Sequence, residues 1–114
     1  MNNDEGLEAR DWLSKNKNAS PLATNRFQTK EEALGFVDEL YLAGAVKVEI
    51  DNEYDEEWRI TEEGGPYADA LTVELPTELD KRSNLFKLFN QESEREGFEE
   101  HIDEGQRYVD LWWD

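Results

Sequence analysis

A chain of 114 residues with 12 basic and 29 acidic side chains carries a net charge of −17, so phosphate backbones and anionic membrane surfaces are both disfavoured as partners. Cysteine is absent, which excludes disulfides, thiol catalysis and cysteine-ligated metals. Apolar residues make up only 37 %, but aromatics at 11 % supply large buried areas, and the expectation is a folded α+β chain with a heavily charged surface.

Asp4 is placed to cap a short helix running to about Asn16, with Leu7, Ala9, Trp12 and Leu13 on a narrow apolar stripe. A polar loop follows and ends at Pro21, and Leu22–Phe27 is a short strand candidate. Thr29 with Glu32 three residues later forms a capping box, in which each side chain can satisfy a backbone N–H at the helix start. Ala33, Leu34, Phe36, Val37, Leu40 and Tyr41 then recur at helical spacing until Gly44 stops the helix, predicting Lys30–Gly44.

Val46, Val48 and Ile50 alternate with charged residues as a half-buried strand, followed by an acidic loop, Asp51–Glu57. Trp58-Arg59-Ile60-Thr61 suggests a strand extending a hairpin, and Gly64-Gly65-Pro66 marks a turn. Leu71, Val73 and Leu75 alternate as the next strand, which Pro76 ends. Thr77, with Asp80 as a weak box partner, starts a helix over Glu78–Glu96, whose apolar set is Leu79, Leu85, Phe86, Leu88 and Phe89. Gly97-Phe98 stops it, Glu99–Gly105 is irregular, and Tyr108–Trp113 closes the chain as a strand with Val109, Leu111 and Trp113 on one side.

This order, β-α-β-hairpin-β-α-β, predicts a ferredoxin-like βαββαβ arrangement: a four-stranded antiparallel sheet with two helices on one face, plus the N-terminal helix. One domain is expected, with residues 1–20 as helix and linker and 21–114 as the sheet-and-helix core. The core is expected at Leu34, Val37, Leu40, Val48, Leu71, Val73, Phe86, Phe89, Val109 and Leu111. The polar acidic N-terminus carries no apolar run, and a cytoplasmic location is expected.

No enzyme motif emerges. Asp51, Glu53, Asp55 and Glu57 alternate as calcium ligands do, but Glu56 occupies the place where a tight calcium loop needs glycine. His101 is the only histidine and has no nucleophile or further ligand set marked beside it. Gly64-Gly65-Pro66 lacks the lysine and helix of a phosphate cradle. No catalytic residue, cofactor or metal is assigned.

What remains is interaction. The expected function is an acidic protein-interaction module, inhibitor- or immunity-like, docking a basic partner. The alternative is a small-molecule sensor, dimeric through or liganded on the open sheet face. Candidate partner-binding residues are Asp51, Glu53, Asp55, Glu56 and Glu57 in one acidic run, and Glu99, Glu100, Asp103 and Glu104 in the other. Tyr108 and Trp112 join them, because Trp112 and Trp113 are adjacent and cannot share one face of a strand. Trp112 then has three possible covers: the N-terminal helix through Trp12 and Leu13, a second copy of the chain, or a partner.

Overall fold

The computed structural model describes residues 7–113 and shows an α+β fold with a four-stranded antiparallel sheet and four helices. In chain order the elements are β1 (Leu7–Glu8), α1 (Ala9–Lys15), α2 (Lys30–Ala43) and β2 (Lys47–Tyr54). They continue with α3 (Glu57–Glu63), β3 (Tyr67–Glu74), α4 (Leu79–Glu96) and β4 (Tyr108–Trp112). Asp4, the expected cap of the first helix, lies outside the described residues; Glu8 takes that role, its carboxylate accepting the Asp11 N–H at 2.8 Å.

The two long helices form where their local signals place them. Thr29 Oγ1 accepts the Glu32 N–H at 3.1 Å, and the Glu32 carboxylate accepts the N–H of Gln28, one residue before the cap, at 3.0 Å. Gly44 closes α2 at φ +123°, and Gly97 closes α4 in the left-handed region at φ +75°. Glu78, rather than Thr77, caps α4, with no side-chain bond. Phe36, Val37 and Leu40 of α2, Leu85, Phe86 and Phe89 of α4, and Leu13 of α1 bury against Val48, Leu71, Val73, Val109 and Leu111 of the sheet. Each such side chain contributes roughly 1.5–3 kcal/mol relative to exposure. The ring centroids of Phe27, Phe36 and Trp113 meet at 5.3–5.8 Å, joining the 16–29 loop, α2 and the chain end.

The strand order is not ferredoxin-like. The sheet runs sequentially, β1-β2-β3-β4, with every neighbour antiparallel. Two features produce this. First, Leu22–Phe27 is no strand: Leu22 makes a single bridge to Ala68, and Ala23 bends back at φ +41°, so the segment directly before α2 supplies no strand to start a βαβ unit, and β1, further upstream, pairs antiparallel with β2. Second, the segment after α4 is long enough to return. The 18 residues of α4 span about 27 Å, and the chain from 97 to 107 can reach about 36 Å. It runs back along the helix, with Phe98 N–H on Ser93 O, His101 held by Asn90, and Asp103 held by Arg82. Tyr108 therefore enters beside Glu74, where β3 ended, and β4 must pair antiparallel to β3.

Other local differences have equally local causes. Trp58–Thr61 belongs to α3, not to a strand, and the acidic stretch through Tyr54 extends β2 instead of forming a loop. Val46 precedes the β2 ladder and Leu79 opens the first turn of α4, and both are exposed, Leu79 at 80 %. Leu34 is only partly buried. Gly65 is required by proximity, since a Cβ there would collide with the Asn16 carboxamide, whose Nδ2 donates to Pro66 O at 2.9 Å. Among the described residues no helix is long and apolar enough to cross a membrane.

Candidate functional site

The sheet has one packed face and one open face. Val48 and Ile50, Leu71 and Val73, and Val109, Leu111 and Trp113 turn toward the helices. Their alternates form cross-strand rows on the other side: Lys47–Glu74–Tyr108, then Glu49–Thr72–Asp110, then Asp51–Ala70–Trp112. Strands lie about 4.8 Å apart, so the rows form a compact lattice in which carboxylates outnumber the lone lysine. Lys47 pairs with Glu49 at 3.3 Å, Thr72 Oγ1 donates to Asp110 Oδ1 at 2.8 Å, and Arg107 reaches Glu74 at 3.0 Å.

Two aromatics stand half exposed on this lattice, Tyr108 at 48 % and Trp112 at 49 %. Trp112 is not covered by the N-terminal helix. Leu13 is fully buried in the helix-side core, and the Trp12 indole N–H donates to Glu53 at 2.8 Å. The partner of Trp112 is Phe98, stacked on it at 5.6 Å with planes 10° apart. Phe98 stands one residue past the Gly97 stop, so the end of α4 delivers this ring to the margin of the sheet. Nothing in the sequence pairs residues 98 and 112, and reasoning by element passes over Phe98.

Between that stack and the end of α4 lies a groove of about 150 Å³ lined by Glu92, Ser93, Phe98, Glu99, His101, Asp110, Leu111 and Trp112. Glu92 backs it and is almost fully buried. Arg26 grips its two oxygens at 2.8 and 2.9 Å, and the Trp113 indole N–H donates to it at 3.0 Å. Burial alone would raise the Glu92 carboxyl; the Arg26 and Trp113 hydrogen bonds and the arginine charge outweigh it and hold the group below its ordinary range. His101 is fixed through its backbone, its N–H donating to Asn90 Oδ1 at 2.7 Å, and burial lowers the imidazole below its usual value.

The remaining expected contact residues scatter. Asp51, Tyr108 and Trp112 share the open face. Glu53 is engaged by Trp12; Asp55 lies between β2 and α3; Glu56 caps α3 and pairs with Arg59 at 2.9 Å; Glu57 opens that helix. Glu99 lines the groove, while Glu100 and Glu104 are exposed on the return segment. Asp103 has a structural partner, since the Arg82 guanidinium binds it at 2.6 Å and holds it below the carboxylate range. The alternating carboxylates of 51–57 thus divide between a strand, a short connection and a helix rather than converging on a cation. Among the described residues no group of three or more histidine, aspartate or glutamate side chains is placed to hold a metal.

No family model, curated protein or solved structure matches this chain.

Proposed function

We propose that this chain is a protein-interaction module that docks a basic partner on the open face of its sheet. The observation that supports it is the lattice itself: two half-exposed aromatics, Tyr108 and Trp112, set among Glu49, Asp51, Glu74 and Asp110, with no helix of the described residues laid over them. Aromatic area left in water on an ordered, flat face is characteristic of a contact surface. The surrounding carboxylates select for positive charge, and the net charge of −17 adds long-range steering toward it. The same charge counts against a second copy of the chain, whose identical face would bring like charges together. A small molecule seated beside Trp112 is supported less well, because the groove there holds about 150 Å³, below the roughly 300 Å³ at which ligand sites begin; larger concavities lie elsewhere, one of about 370 Å³ between α1 and β2.

Two triple variants of equal charge test the reading. Glu49→Gln, Asp51→Asn and Asp110→Asn alter the open face, whereas Glu31→Gln, Glu62→Gln and Asp80→Asn alter helices α2, α3 and α4. The probe is a twelve-residue peptide of alternating arginine, lysine and small residues, titrated against the full chain at low and high salt. The open-face variant is expected to bind roughly tenfold more weakly than the helix variant, and salt to weaken binding to the unaltered chain. Equal losses in both variants mean that the peptide senses only net charge, and the docking face is then refuted.

A further inference from the structure

Five of the six arginines combine a ring with a carboxylate; the sixth, Arg95, pairs with Glu92 at 3.9 Å. Arg26 lies 4.6 Å from the Phe27 ring centre while gripping Glu92, and Arg59 lies 4.5 Å from Trp58 while bound to Glu56. Arg107 lies 5.3 Å from Tyr108 while bound to Glu74, and Arg10 and Arg82 make the same combination with Tyr41 and Asp38 and with Phe86 and Asp103. Each joins a ring, which attracts the cation by its quadrupole, to a carboxylate that accepts its N–H donors.

At the end of α4, two carboxylates beside an aromatic pair have no arginine among the described residues. The groove at the end of α4 brings together the stacked pair Phe98 and Trp112 with Glu99 from the return segment and Asp110 from β4. Asp110 accepts one bond from Thr72, and among the described residues neither Asp110 nor Glu99 takes part in an ion pair. Glu92 behind them is already balanced by Arg26. At about 30 Å³ per water, the 150 Å³ of the groove corresponds to some five waters, room for a planar cation and part of its stem.

We propose that this groove seats one arginine side chain of the docking partner, its guanidinium set against the Phe98–Trp112 pair with N–H groups donated to Asp110 and Glu99. The assignment rests on the docking reading above and names the residue type that reading requires at one point. Arginine fits better than lysine for two reasons. Its flat fork can address two carboxylates on separate elements at once, and its weakly hydrated plane stacks on aromatic rings. Burial lowers the His101 imidazole and so favours its uncharged form at the rim.

The test is a ¹⁵N NMR titration of the full chain with N-acetyl-arginine amide, alongside the lysine amide and the neutral, planar citrulline amide. The Trp112 indole resonance is assigned by its loss in Trp112→Phe. Arginine amide is expected to shift that resonance and the amides of 99–101 and 110–112, with lysine amide binding at least about threefold more weakly and citrulline amide not at all. Glu99→Gln with Asp110→Asn should abolish the localised shifts, and the helix triple variant should retain them. These substituted side chains are exposed, so the fold is expected to persist, and the spectrum itself verifies it. Shifts spread over the whole acidic surface, or unchanged in the double variant, overturn the seat; so does citrulline amide matching arginine amide. Lysine amide binding as tightly as arginine amide overturns the choice of guanidinium. If the seat fails while the peptide still discriminates between the triple variants, the arginine assignment falls alone; if both fail, docking on this face falls with it.

Discussion

Replacing Glu92 by glutamine isolates one of the two most buried charges among the described residues, the other being Arg82. The residue is 6 % exposed and receives two N–H groups of Arg26 at 2.8 and 2.9 Å and the Trp113 indole N–H at 3.0 Å. Glutamine keeps the shape and one acceptor but turns an amide N–H₂ toward the guanidinium and removes the charge. Breaking a buried pair on one side costs about 3–5 kcal/mol when the survivor stays buried. The Arg26 side chain is 23 % exposed and can recover part of its hydration, so a loss of roughly 2–4 kcal/mol is expected. At this chain length that corresponds to a fall in Tm on the order of 10 °C. The sign with pH follows from the depressed carboxyl. A group held below its unfolded value stabilises the fold above that value, and the contribution is lost as pH falls through the folded one. The gap between the original chain and Glu92→Gln, measured by urea unfolding with circular dichroism, should therefore be full at pH 7 and shrink steadily below about pH 4.5. A gap under about 0.5 kcal/mol at pH 7, or one independent of pH, refutes a charge-assisted anchor between the 16–29 loop, α4 and the chain end.

The adjacent tryptophans should behave oppositely. Trp113→Ala, at a site 2 % exposed within the Phe27–Phe36 ring cluster, is expected to cost about 3–5 kcal/mol, whereas Trp112→Ala, at 49 % exposure, should lose only about 1 kcal/mol with the Phe98 stack; similar losses in urea titrations contradict the described strand register. Tyr41 should ionise well above the ordinary tyrosine range. Burial, then its bond to Glu8, pushes the phenol up to about 12, so alkaline difference absorbance should show a late step and stability should fall as pH rises from about 10 toward that value. A step near pH 10 that is lost in Tyr41→Phe would remove the bridge by which the Tyr41 hydroxyl donates to Glu8 and accepts the Val48 N–H.

The parts legible in the residues alone are those whose physics closes within a few positions. Thr29 and Glu32 mark the start of α2, Gly44 and Gly97 mark helix stops, and the alternation from Tyr108 to Trp113 assigns each side chain a face. An odd–even pattern is enough to turn Trp113 inward and Trp112 outward, because a strand has only two faces. It does not say which strand lies alongside. That choice was tertiary: β4 joins β3 antiparallel because the chain from 97 to 107 runs back along α4, secured by Asn90 and Arg82. The same holds for Trp58–Ile60, whose aromatic and β-branched residues suit a strand, yet which fold into α3 between two strands that are paired along their length. The candidate site divides in the same way. Asp51, Tyr108 and Trp112 were recoverable from alternation, but Phe98 comes from a helix stop and Glu99 and Asp110 from two separate segments. Only the return of the chain along α4 sets them around one groove, since residues far apart in sequence become neighbours through the packing of whole elements and not through any local preference of their own.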